Sequence, residues 1–184
     1  GRAPSTDPAV SATLERARSA GVEHIYVSVD VTDADAVARA VRTGVDALGP
    51  VTAVLHGAGT NEPTRARELT RDQLDRTIAP KVYGQRNVLA CVDASRLRLL
   101  VAFGSIIGRA GLEGEVHYAT ANDWLTEEVL AFERTHPHVR VRAVEWSVWS
   151  GAGMGERLGV LESLRQRGIE PIPTDWGVAL VSSL

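Results

Sequence analysis

Cysteine, methionine and aromatic residues are scarce in this chain. Of its 184 residues one is cysteine (Cys91) and one is methionine (Met154), and aromatics make up 5%. A lone thiol excludes an internal disulfide and a multi-cysteine zinc site, and Cys91 reads as a small buried hydrophobe. A basic excess is also missing: the formal charge is -3, with acidic and basic residues mixed throughout, which argues against a nucleic-acid surface. No apolar run approaches the roughly 20 residues of a membrane span, and no charged-then-apolar leader opens the sequence. The expectation is a cytoplasmic protein with neither nucleic acid nor membrane as partner. His136 and His138 flank Pro137 without an acidic or cysteine neighbour at ligand spacing, so no metal is expected. Internal repeats and low-complexity linkers are absent, and the 44% hydrophobic content suffices for the core of one domain over residues 1–184. Position 1 is Gly and the sole Met is residue 154, so the sequence reads as a piece of a longer one.

What is present alternates between helix and strand signals, the pattern of a parallel sheet covered by helices on both faces. Pro8 to Ala20 has helical spacing and stops at Gly21. Ile25 to Val29 is β-branched and aromatic, hence a strand. Asp33 to Leu48 reads as a helix closed by Gly49-Pro50, and Val51 to Leu55 as the next strand, leading into His56-Gly57-Ala58-Gly59. Glu68 to Asp93 contains a long helix, interrupted or begun afresh near Pro80. Leu97 to Phe103 is a buried strand, Tyr118 to Thr135 a helix and Val139 to Val144 a strand. Glu156 to Arg167 reads as a helix over the strand ends. Ligands in such sheets bind at the carboxyl ends of the strands.

One constellation carries chemistry. Tyr118 and Asn122 sit four residues apart, thirteen residues after Ser105 and downstream of an isolated Lys81. A phenol has an unperturbed pKa of about 10, so a Tyr used as proton donor needs a cation nearby to stabilise its phenolate, and Lys81 can be that cation. A hydroxyl is also needed to hold a carbonyl oxygen, and Ser105, just past an apolar strand, is placed for it. The set points to hydride transfer onto a carbonyl. Singly, each residue has a plain alternative: Tyr118 in an amphipathic core, Ser105 as a cap, Lys81 and Asn122 as solvated surface.

Lys81 in Ala-Pro-Lys-Val-Tyr-Gly, Ser105 in Phe-Gly-Ser-Ile-Ile-Gly, and Tyr118 with Asn122 in Tyr-Ala-Thr-Ala-Asn resemble the ketoreductase domain of type I polyketide synthases, modular or iterative, a branch of the short-chain dehydrogenase/reductases. Ordinary members of that superfamily carry Tyr-x-x-x-Lys on one helix, whereas this branch exchanges the Lys and Asn positions, as this chain does. The resemblance implies a Rossmann-like, doubly wound parallel sheet and NADPH-dependent reduction of a β-ketoacyl group. The substrate would be a phosphopantetheine thioester on an acyl carrier protein, with other synthase domains as further partners, in antibiotic-type biosynthesis. It implies that Tyr118 protonates the carbonyl oxygen, Ser105 hydrogen-bonds it, Lys81 lowers the Tyr pKa and Asn122 completes a proton relay. For the cofactor it implies Arg2 at the 2'-phosphate, Asp30 and Val31 around the adenine, and Gly57, Ala58 and Gly59 as a turn that admits the cofactor to the backbone.

The same resemblance predicts what is missing. No Gly-x-Gly-x-x-Gly turn precedes a helix, and Gly151-Ala152-Gly153-Met154-Gly155 follows the last strand signals. Aligned on Gly1-Arg2, the sequence begins just after the family's second strand, so the first strand, the Gly-rich loop and the first helix would belong to a preceding segment. In strand order 3-2-1-4-5-6 that first strand is central, and without it two sheet halves would carry unpaired edges. Trp146 and Trp149 in Glu-Trp-Ser-Val-Trp resemble the family's Trp-Gly-Pro-Trp, with Ser and Val in place of Gly and Pro. Met154 and the helix Glu156 to Arg167 match its substrate lid. Stereochemical markers fail: Thr60 to Pro63 does not match the Leu-Asp-Asp type, and Ala110 stands where a Trp marker would fall. Two alternatives stay open, a non-catalytic structural domain of a synthase and a stand-alone short-chain reductase or epimerase.

Overall fold

A computed structural model describes residues 1–151, 153, 159 and 161–183. Its centre is a parallel sheet of three strands, β1 (Ala53–His56), β2 (Leu99–Ser105) and β3 (Arg140–Trp146), in the order β1-β2-β3. Leu55 pairs with Val101, and Val101 with Arg142. Side chains alternate between faces along each strand. Val54, Leu100, Ala102 and Val141 fall on one face and join Leu97, Val139, Leu125 and Val129 in the main core. Leu97, Leu100 and Val129 are fully enclosed, each burial contributing about 1.5–3 kcal/mol. The opposite face of β1 is open, with Leu55 55% exposed.

The helices begin where the sequence supplies a cap. Asp7 accepts from Ala9 and Val10 N–H to start α1 (Pro8–Ser19), and Asp33 accepts from Ala36 N–H to start α2 (Ala34–Leu48), which Gly49 ends at φ +86°. Thr70 and Gln73 form a reciprocal capping box on α3 (Arg71–Ile78). The predicted break at Pro80 is a π-helical turn, Ala79–Tyr83, and the helix resumes as α4 (Gly84–Cys91). A four-residue helix, α5 (Ile107–Ala110), follows β2, and α6 (Val116–Thr135) returns to β3. The buried positions of α6 are His117, Ala121, Asn122, Leu125 and Val129. Their 4-1-3-4 spacing forms one stripe; its C-terminal half fills the core, and its N-terminal half lies by the ends of the strands.

Beyond β3, β4 (Trp149–Ser150) and β5 (Ile172–Pro173) pair in parallel, separated in sequence by α7 (Leu161–Gln166) and followed by α8 (Thr174–Ser182). The predicted Glu156 to Arg167 helix is seen as α7; Met154 and residues 155–158 lie outside the described residues.

One expected strand does not form. Residues 25–29 take no regular structure. They are held to the first residues by Val29 N–H to the Gly1 carbonyl (2.7 Å), Ser28 Oγ to the Arg2 carbonyl and Tyr26 Oη to the Ala3 carbonyl. A β-branched run becomes a strand only when a neighbour supplies a ladder, and here side chains make most of the bonds. The segment is anchored further on, where Asn87 Nδ2 donates to the Val31 carbonyl (2.9 Å). There Val31 packs so tightly on Gly84 that a Cβ at that position would lie 2.6 Å from Val31 Cγ2.

Candidate active site

A cavity of about 590 Å³ opens over the carboxyl ends of β1, β2 and β3. Ser105, Tyr118 and Lys81 line it together with Gly57 and Gly59, so the chemistry-bearing residues converge from three elements. Ser105 is the last residue of β2, and its Oγ accepts from Ile107 N–H at 3.2 Å, at the start of the short α5. Tyr118 stands in the first turn of α6.

Lys81 is 4% exposed and projects from the π turn. Its Nζ donates to the Phe103 carbonyl at 3.1 Å and lies over the Tyr118 ring, 5.6 Å from the centroid. Burial brings its pKa down to about 8, which leaves it charged at neutral pH. The backbone of Lys81 is fixed from β1: His56 Nε2 donates to the Lys81 carbonyl at 2.9 Å. Burial depresses the pKa of His56 to about 4, so this imidazole is neutral with its proton on Nε2. Gly59 makes room for the lysine, since a Cβ there would stand 3.1 Å from Lys81 Cε.

Burial raises the Tyr118 hydroxyl above its ordinary pKa; Asn122 and Ser105 pull it back, and the charge of Glu115 adds to the rise. Among the described residues neither Asn122 nor Ser105 closes to a regular hydrogen bond with that hydroxyl. In this state burial is the largest influence on the Tyr118 hydroxyl, and the Lys81 ammonium lies over the ring of the phenol. Asn122, 1% exposed, donates through Nδ2 to the Tyr118 carbonyl at 2.7 Å, while its Oδ1 is buried without a partner. Gly108 allows this proximity of α5 and α6, because a Cβ there would be 3.0 Å from Asn122 Cβ.

The expected cofactor residues divide into two groups. Gly57 and Gly59 line the cavity; Arg2, Asp30, Val31 and Ala58 do not. Arg2 is exposed with Nη1 3.8 Å from Asp30 Oδ2. Asp30 accepts from Thr32 N–H and Thr32 Oγ1, which with Arg2 hold its carboxyl below the usual range. Val31 is a packing residue against α4. Trp146 and Trp149 form one wall, rings edge to face at 4.9 Å, and α7 with the residues after it contributes Ser163, Leu164, Arg167 and Ile169 to the lining.

The sequence reading missed Asn61 and Glu115. Both line the cavity, and Asn61 Nδ2 donates to Glu115 Oε2 at 2.8 Å. The available signal was a glutamate three residues before Tyr118, a helical spacing that puts both on one side of the α6 start.

The KR domain family matches residues 1–151. The chain belongs to that family. Ketoreductase domains of polyketide synthases, within the short-chain dehydrogenase/reductases, share its Rossmann-like fold. Among relatives, the 5-methyl-1-naphthoate synthase of Streptomyces sahachiroi is 32% identical over 156 residues, covering 83% of this chain and 9% of that protein. Polyketide synthase PksN of Bacillus subtilis is 25% identical over 173 residues, covering 91% of this chain and 3% of that protein. Among solved structures, the ketoreductase from the first module of phoslactomycin biosynthesis in Streptomyces sp. HK803 superposes with a TM-score of 0.85 at 30% identity, over 97% of this chain and 40% of that one. This ketoreductase domain thus spans under a tenth of those two synthases. Among the described residues no helix is long and apolar enough to cross a membrane.

Proposed function

We propose that this ketoreductase domain reduces a β-ketoacyl thioester, carried on the phosphopantetheine arm of an acyl carrier protein, to the β-hydroxyacyl form with NADPH. The observation that carries this reading is the convergence of Ser105, Tyr118 and the buried Lys81 on one cavity whose remaining wall is mostly apolar. Ser105 Oγ holds the carbonyl oxygen, Tyr118 gives it a proton, and the Lys81 ammonium stabilises the phenolate left behind. Asn122 stands behind the cavity wall, and its buried, unpartnered Oδ1 would accept from a water through which Tyr118 regains its proton from solvent.

The turn at Gly57 and Gly59 fits the approach of a flat ring, because both glycines line the cavity without a side chain, Gly57 beside Phe103 and Gly59 beside Lys81. That turn would hold the nicotinamide end of NADPH, and Arg2 and Asp30 the adenosine end. When bound, the dinucleotide supplies the hydride. Arg2, free to leave its exposed 3.8 Å pairing with Asp30, would meet the 2'-phosphate.

Tyr118→Phe tests the acid role. It removes the proton donor and keeps the ring, so reduction of a β-ketoacyl thioester should fall by at least about a hundredfold with NADPH affinity nearly unchanged. Turnover equal to that of the unaltered protein would refute the assignment.

A further inference from the structure

The helix α8 meets the rest of the protein through a residue that has no side chain. Gly177 is its buried residue, while Trp176, Val178 and Leu180 are exposed. A glycine inside a helix costs backbone entropy, so the position calls for a local cause, and the cause is a ring. A Cβ on Gly177 would lie 2.3 Å from Trp149 Cη2 and 2.5 and 2.6 Å from Cζ3 and Cζ2, so the outer edge of the indole rests on the helix backbone. The helix cannot step back. β5 runs straight into α8 and pairs with β4 through Trp149 and Ile172; Ile172 N–H donates to the Val148 carbonyl (2.8 Å) and Thr174 Oγ1 to the Ser150 carbonyl (2.7 Å). The strand that carries the tryptophan therefore also fixes the helix against it.

The same ring lines the cavity, whereas among the described residues none of α8 does. Trp149 meets Trp146 edge to face, Trp146 meets Phe103 at 5.7 Å, and the Phe103 carbonyl holds Lys81 Nζ. A row of rings thus runs from α8 to the groups that would reduce the carbonyl. With Trp146, Leu164 and Ile169, Trp149 makes an apolar stretch of wall, suited to a hydrocarbon chain and not to the amides of a phosphopantetheine arm. We propose that Gly177 is a positioning residue that sets how long an acyl chain the cavity accepts: by letting the Trp149 ring lie back on α8, it keeps open the space into which the chain of the β-ketoacyl group extends. The inference rests on the ketoreductase reading above and adds to it a limit on the acyl group. Carbon atoms pack at about 3.5 Å or more, so a side chain at 177 drives the ring at least about 1 Å off α8 and toward the cavity, the room of about one to two methylene groups.

The test measures kcat/KM on the full protein with NADPH for a short and a long thioester of N-acetylcysteamine, β-ketobutyryl and β-ketodecanoyl. Gly177→Ala should lower the long-to-short ratio by about four- to fifteenfold, the worth of about one to two methylene groups, with the loss in KM for the long thioester. A purely structural role for the glycine would lower both values alike and leave their ratio. Adding Trp149→Phe, whose ring ends short of Cζ2, Cζ3 and Cη2, should restore the ratio. An unchanged ratio in Gly177→Ala, or one that Trp149→Phe does not restore, overturns the inference while ketoreduction itself stands. If Gly177→Ala does not fold, Trp149→Phe alone and combined with Gly177→Ala decide: both should exceed the unaltered protein in this ratio and equal one another, and any other result overturns the inference. Failure of the unaltered protein to reduce either thioester sinks the ketoreductase reading, and this inference with it.

Discussion

Replacing Lys81 by Met should make the protein more stable and inactive at once. A lysine whose pKa falls from 10.5 to about 8 on folding carries its charge at an energetic cost of about 1.4 kcal/mol for each pKa unit, or about 3 kcal/mol at neutral pH. Methionine fills nearly the same volume without that cost. It gives up the Nζ hydrogen bond to the Phe103 carbonyl, a loss of about 1 kcal/mol. The net gain is about 2 kcal/mol, or about 4–8 °C in Tm for a chain of this size. The pH dependence identifies the cause. Because the folded-state pKa is depressed, the unfolded chain binds more protons between about pH 8 and pH 10.5, so the unaltered protein gains stability as pH rises through that window. Thermal unfolding of both proteins from pH 6 to pH 10 should therefore show the largest advantage of Lys81→Met below pH 8, shrinking above it. A Met variant less stable at pH 7, or a gap constant across the range, would refute the account of Lys81 as a strained, desolvated cation.

Gly84→Ala should destabilise the protein by about 1–3 kcal/mol, because its Cβ would meet Val31 Cγ2 at 2.6 Å in a backbone conformation that is otherwise helical; chemical denaturation measures it. Arg2→Ala should weaken NADPH binding more than NADH binding, and titration of both cofactors that finds equal losses would remove the phosphate assignment.

How far the sequence discloses this molecule depends on whether the cause is local. The helices Pro8–Ser19 and Ala34–Leu48 are legible because Asp7, Asp33 and Gly49 state their ends in the chain. The three sheet strands are legible as short apolar runs, within two or three residues. Residues 25–29 carry an equally good strand pattern and fail, since pairing is not a property of the run itself. The short α5, the β4–β5 pair and α8 were not anticipated, each being set by packing at the sheet end rather than by periodicity. At the site, motif order is enough to bring Ser105, Tyr118, Lys81 and Gly59 to one cavity. The partnership of Asn61 with Glu115 spans 54 residues, and nothing local to either announces it.

The π turn shows how one irregularity solves two problems. Pro80 lacks the N–H that an α-helix would use, and its ring would press on the carbonyl four residues earlier. Widening to an i to i+5 bond, Gly84 N–H to the Ala79 carbonyl, absorbs the defect. The wider turn leaves the Lys81 carbonyl to accept from His56 on β1. A lysine fixed at its backbone by the sheet and at its ammonium by the Phe103 carbonyl of β2 cannot escape to solvent, as a lysine on a regular helix could. The desolvation of the cation and its position over the Tyr118 ring thus have one origin. The proline and the lysine belong to one device, with His56 as its third part.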